Sequence, residues 1–197
     1  MSRALSDMHQ WIEDLPDHMQ EPHQRIFWSD VLYSSILILS PPGFVGELCD
    51  YGKFLIFEYA AEYAESMVQI SGDQERFVFL TYHDKLRASF IAQRLISTLL
   101  DNITLLFGGI VPRAPHDSFP PSGPSIIPAR TTGEMVNKAH RCLNQLERTL
   151  EYLELKYGYA ESLSEFKAQY SEARHTLKDI YDSWSRNLGA SRDPYVS

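Results

Sequence analysis

Three glutamates, Glu58, Glu62 and Glu65, recur at intervals of four and three residues in a stretch that is otherwise almost wholly apolar. That spacing sets them along one stripe of a helix, where positions three and four apart lie one above another. Helical bundles present carboxylates to metal ions in this way, but they add a Glu-x-x-His pair. Here Glu65 stands three places after Glu62, and no histidine falls between positions 24 and 82. The stripe therefore reads first as a solvated face and second as the polar lining of an internal pocket. For the pocket reading the neighbouring aromatic residues matter, because small-molecule sites have apolar, aromatic walls with a few converging polar groups. Tyr33, Phe57, Glu58 and Glu62 are accordingly the candidate effector-binding residues. Trp11, Trp28, Phe54, Tyr59 and Tyr63 belong to the same aromatic set, whose plainer reading is ordinary core packing. A carboxylate drawn into such a pocket is expected to meet a hydroxyl, an amine, an Arg or ordered water, since an unpartnered buried charge is costly.

Other chemistries lack their residues. Seven histidines, at 9, 18, 23, 83, 116, 140 and 175, never stand four apart, so no pair shares a helix face for a metal. His140 reads as a rim residue. Neither a Gly-x-Ser-x-Gly elbow nor a Gly-x-x-x-x-Gly-Lys-Ser/Thr phosphate loop is present. No catalytic residue, metal or cofactor is expected, and the chain reads as a non-enzyme. Cys49 and Cys142 are too few for a disulfide framework or a four-thiolate zinc site, which points to a reducing compartment. A net charge of -8, with no Lys or Arg cluster longer than a pair, argues against direct binding to nucleic acid, because such binding is mostly neutralisation of phosphates. The opening residues lack the apolar core of a signal peptide. The most apolar window, Ile91 to Val111, is interrupted by Arg94, Asp101 and Asn102, so no membrane span is expected.

The elements that must position these residues are helices. At 197 residues and 44% hydrophobic the chain can bury one sizeable core. Apolar periodicity predicts a helix over about 23–39, stopped by Ser40-Pro41-Pro42, and a second over about 48–70 whose apolar positions cover most of its circumference, the mark of a buried helix. A short segment through Phe77 to Leu80 precedes one long helix from about His83 to Phe107, with Leu86 among its apolar positions, ended by Gly108-Gly109. Six prolines between 112 and 128 exclude helix and central strand, leaving an extended connector. Beyond it, Val136 to Tyr157 and Leu163 to Leu188 carry two heptad runs. Gly158 as a C-cap, and Ser162 with Glu165 as a capping box, predict a short turn and an antiparallel αα-hairpin. Met135, Cys142, Tyr152 and Tyr181 widen its apolar stripe, so it is expected to pack within the chain, with a second chain as the alternative. The expected organisation is thus all-α, with a helical core at 1–111, a Pro-rich connector at 112–130 and a hairpin at 131–197 packed on that core.

Leu5, Trp11 and Leu15-Pro16, followed by Leu32-Tyr33-x-x-Ile36-Leu37-Ile38-Leu39 and Pro41, with Cys49 and Ala60-Ala61 after them, resemble the C-terminal half of the fungus-specific transcription-factor domain, the middle homology region of zinc-cluster regulators. Ser40 departs from the His-Arg common in that family. The family's six-cysteine DNA-binding cluster is absent from this chain. The resemblance, over about a third of the chain, implies a nuclear, all-helical regulatory region that senses a small-molecule effector or contacts protein partners. It assigns no residue to that role. The alternative expectation is a helical scaffold that binds a partner, or a second copy of itself, through the C-terminal hairpin.

Overall fold

The computed structural model of the chain describes residues 24–41, 47–72, 80–109, 131–158 and 161–190, with isolated positions at 7, 10, 14, 43 and 112. Six helices make up this part: α1 Gln24–Leu39, α2 Asp50–Ser71, α3 Tyr82–Asp101, α4 Ile103–Phe107, α5 Thr132–Tyr157 and α6 Glu161–Ala190. No described residue lies in a strand, and the class is all-α. Trp11, Leu15-Pro16, the segment 77–79, the connector at 113–130 and the Ser162 and Glu165 side chains lie outside the described residues.

Helix α2 is central. Fifteen of its 22 residues are buried, which requires cover on most of its circumference, and α1, α3 and α5 all pack on it. From α1 come the fully buried Leu32 and Ile36, and a buried hydrogen bond at 2.9 Å joins the Ser29 and Ser66 hydroxyls. Leu95 and Leu99 of α3 and Leu143 and Leu146 of α5 complete one continuous apolar cluster with Phe57, Tyr63 and Met67. Each such side chain contributes about 1.5–3 kcal/mol relative to exposure.

The starts of α3 and α5 are closed by capping boxes between the threonine before each helix and an acidic residue of its first turn. Asp84 accepts from the Thr81 amide at 2.6 Å, and Glu134 accepts from the Thr131 amide at 2.7 Å while the Thr131 hydroxyl accepts from the Glu134 amide at 3.3 Å. The long helix expected over 83–107 is broken at Asn102, whose side-chain amide donates to the Thr98 carbonyl at 3.0 Å. That local bond competes with the helical ladder and lets the backbone leave it. Leu86, expected in the seam of this helix, is 50% exposed. Its place is taken by Lys85, buried to 3%, whose ammonium donates to the Gly158 carbonyl at 2.8 Å and so sits at the C-terminal end of α5, where unpaired carbonyls favour a cation. Gly158 itself holds φ at +67°, a conformation that favours glycine.

Helix α6 lies along α5. Lys167 pairs with Glu151 at 3.2 Å, the Tyr170 hydroxyl donates to Asn144, and Trp184 covers Gly133, so positions rising along α6 meet positions falling along α5. A Cβ at position 133 would stand 2.4 Å from the Trp184 ring, which makes the glycine the condition for that contact. Phe166, Tyr170, Ala173 and Leu177 bury on this side. Of the four residues expected to widen the stripe, Met135 and Cys142 are buried, but Tyr152 and Tyr181 are 46% and 39% exposed. Cys142 is covered because it lies against Ala60 of α2. Tyr152, ten residues further on, is turned away from that line, while the next residue, Leu153, is fully buried. No helix among the described residues is long and apolar enough to cross a membrane.

Replacing the fully buried Leu146 by Asp puts a carboxylate into the apolar cluster and should cost about 3 kcal/mol or more. A melting curve should show this as a midpoint lower by about 6 °C or more, and an unchanged midpoint would place Leu146 outside the core. Along the same helix, burial, with help from the Arg174 guanidinium, holds the half-buried His140 imidazole below its ordinary value of 6.5. The folded chain thus favours the neutral ring, and stability present above that value is lost as the pH falls through the lowered one. His140→Gln should therefore make the melting midpoint less sensitive to acid between about pH 7 and pH 5 than it is in the parent chain.

Candidate functional site

The central position of α2 leaves it one outlet to solvent. Glu58 is partly exposed, and Glu62 and Glu65 are exposed, so the glutamate stripe is the line along which α2 remains uncovered. Beside it runs α5. The Glu58 carboxylate pairs with the Lys138 ammonium, and the Cys142 thiol donates to the Ala60 carbonyl at 3.5 Å, so the two helices lie side by side in the same direction. Between them opens a groove of about 510 Å³. Its α2 wall is Glu58, Ala61, Glu62 and Glu65, and its α5 wall is Glu134, Lys138, Arg141, Cys142 and Gln145.

Each wall comes from helical spacing. Glu134, Lys138, Arg141 and Gln145 follow one another at intervals of four, three and four, the same rhythm as Glu58, Glu62 and Glu65. On α5 this line flanks the buried seam of Val136, Leu143 and Leu146, so its residues reach the surface where α2 and α5 meet. Ala61 and Cys142, both buried, form the floor. Four carboxylates against two cations give the lining a net negative charge.

The four candidate residues do not share one cavity. Glu58 and Glu62 line the groove. The Glu58 side chain is 15% exposed and that of Lys138 22%, which makes theirs a half-buried pair rather than a solvated one. Glu62 accepts from the Trp28 indole N–H at 2.8 Å, tying α1 to the same wall. Phe57 is fully buried beneath, a core residue whose ring lies 5.5 Å from the Lys138 ammonium. Tyr33 is elsewhere, in the seam of α1 and α3. Its ring meets that of Phe90 edge to face at 5.8 Å and lies under the Arg87 guanidinium at 5.4 Å. That guanidinium pairs with Asp30 of α1 and, at 3.3 Å, with Asp84.

Burial sets the protonation state of the groove's floor. Burial pushes the Cys142 thiol well above its ordinary value, outweighing the nearby Lys138 ammonium, so the sulfur stays a protonated donor and not a nucleophile. Tyr59, on α2, is pushed up to about 12 by burial and by its neighbours Tyr51 and Glu62. Among the described residues no group of three or more His, Cys, Asp or Glu side chains is placed to hold a metal ion. The furrow thus carries three carboxylates on its α2 wall, and two cations with one carboxylate on its α5 wall.

Glu134, Lys138, Arg141 and Gln145 are site residues that sequence reasoning does not single out for this role, whereas Trp28 belongs to the aromatic set it names. The polar line along α5 was visible as periodicity, but its meeting with α2 was not, since 80 residues separate Glu58 from Lys138. Comparison with models of protein families, with curated proteins and with solved structures gives no match to this chain.

A double-mutant cycle of Glu58→Gln and Lys138→Met should return a coupling energy of about 1 kcal/mol, the upper end for an exposed pair. A value near zero in urea melts would mean that the pair is solvated.

Proposed function

We propose that the chain is a non-catalytic regulatory module that senses a small polar effector in the α2–α5 groove. We further propose that it serves as the effector-sensing portion of a fungal zinc-cluster-type transcription regulator and acts in the nucleus. The regulatory half of this reading is supported by the residues from Leu5 to Ala61 that resemble the middle homology region. The sensing half rests on one observation, the half-buried Glu58–Lys138 pair set across the groove directly above the core residue Phe57. A ligand that joins or displaces this pair acts on the contact between the central helix and the α5–α6 pair. Binding is thereby linked to packing, which is what a sensor needs. With its net charge of -8 the chain leaves contact with DNA to another element.

A thermal-melt screen of small polar metabolites tests the reading. At about a hundred times its dissociation constant a genuine effector should raise the midpoint by about 5 °C or more. Ala61→Phe fills the groove floor and should abolish that shift, its own ligand-free midpoint being measured alongside. If no compound raises the midpoint, or if Ala61→Phe leaves the shift intact, the groove is not the sensing site.

One observation favours a second reading, a scaffold that binds a partner or a second copy through α5 and α6: Leu155 is 86% exposed, with Tyr152 and Tyr181 also open. Sedimentation that showed a dimer in the parent chain and a monomer in Leu155→Glu would favour it over the sensor.

A further inference from the structure

The chemical class of the effector follows from the charges of the groove that the fold itself leaves without partners. Glu58 is engaged by Lys138, and Glu134 by the Thr131 amide and hydroxyl at 2.7 and 3.0 Å. Glu62 gives one oxygen, Oε1, to the Trp28 indole and keeps the other. Glu65 on the α2 wall and Arg141 on the α5 wall form no ion pair among the described residues, and both are exposed to the groove. The remaining capacity is therefore two carboxylates, one turn apart on one wall, facing one guanidinium on the other.

We infer that the groove takes a basic amino acid, a proposal that rests on the α2–α5 groove being the effector site. Arginine's planar fork recognises a carboxylate, so Arg141 would hold the α-carboxylate of the ligand. Glu62 and Glu65 would hold its two cationic groups. Of the groups not already engaged, two carboxylates face one guanidinium, which a ligand with two cationic groups and one carboxylate meets group for group. A diamine without a carboxylate leaves Arg141 unmet, and an acidic amino acid sets its second carboxylate against Glu65. At about 510 Å³ the groove has room for an extended side chain of this kind, being within the usual size range of small-molecule sites. Because Glu62 also holds the Trp28 indole, an ammonium that binds there shares the acceptor with α1. Occupancy should thus be visible at Trp28.

Calorimetry on the whole chain with L-lysine, with cadaverine, which is lysine without its carboxylate, and with L-glutamate tests this. Lysine should bind tighter than cadaverine by on the order of fivefold, the effect of one exposed charge pair, and glutamate should not bind. Arg141→Met should remove the difference by weakening lysine alone, whereas Glu65→Gln should weaken lysine and cadaverine together. Lysine should also shift the tryptophan emission of the parent chain, and Trp28→Phe should remove that shift. Equal binding of lysine and cadaverine, or an Arg141→Met variant that binds lysine as the parent does, overturns the assignment. If lysine fails while another metabolite gives a melting shift that Ala61→Phe abolishes, the ligand class is wrong and the sensing groove stands. If nothing binds, both fall.

Discussion

The need to bury α2 on almost every side is the constraint from which the rest of the architecture follows. A helix that carries Phe54, Leu55, Ile56, Phe57, Tyr63, Met67 and Ile70 around its circumference cannot rest on one neighbour. It needs at least three, and α1, α3 and α5 supply them. The apolar area so removed from water is the main favourable term, and the surrounding helices gain by the same act, since each would expose its own apolar residues alone. The order of the chain then decides geometry. Because α3 intervenes between α2 and α5, the latter two can run in the same direction, with Glu58 at the level of Lys138 and Ala60 at that of Cys142.

The same constraint creates the groove. Where three neighbours surround a central helix, one line of that helix must remain open, and on α2 the open line is the glutamates. Their burial would cost several kcal/mol each without partners, so the packing that covers the other positions leaves this stripe at the rim, facing the polar line of α5. The Glu58–Lys138 pair sits at the boundary, half in the core seam and half in the furrow. Lys138 can occupy this place because its ammonium, 5.5 Å from the centre of the Phe57 ring, also reaches the carboxylate.

Polar groups elsewhere serve assembly. Lys85, Lys156 and Tyr157 join the start of α3 to the end of α5, the first through the Gly158 carbonyl and the other two through that of Leu80. The Arg87 guanidinium binds Asp30 and Asp84 and stacks on Tyr33, tying α1 to α3. Burial raises the Asp30 carboxyl above its ordinary range, while the Arg87 cation works against that rise. These contacts fix how α1, α3 and α5 sit around α2, and with them the shape of the groove.

The sequence by itself determined the helical class and the burial of α2, because a 3.6-residue period and an apolar circumference are local properties of a segment. It also determined the glutamate stripe, as a line of positions four and three apart. Several assignments needed the fold. Tyr33 and Phe57 were grouped with Glu58 and Glu62 because all belong to neighbouring helices, yet Phe57 points into the core and Tyr33 into a different seam. Periodicity gives which residues share a face, but not which faces meet. Leu86 and Tyr152 matched an apolar pattern and lie exposed, whereas Lys85 is buried because the Gly158 carbonyl stands within its reach. The break at Asn102 came from a side-chain hydrogen bond that composition does not reveal. The groove itself, made by charges some 80 positions apart in the chain, is decided wholly by tertiary structure, because a contact between distant residues exists only once the helices between them have packed.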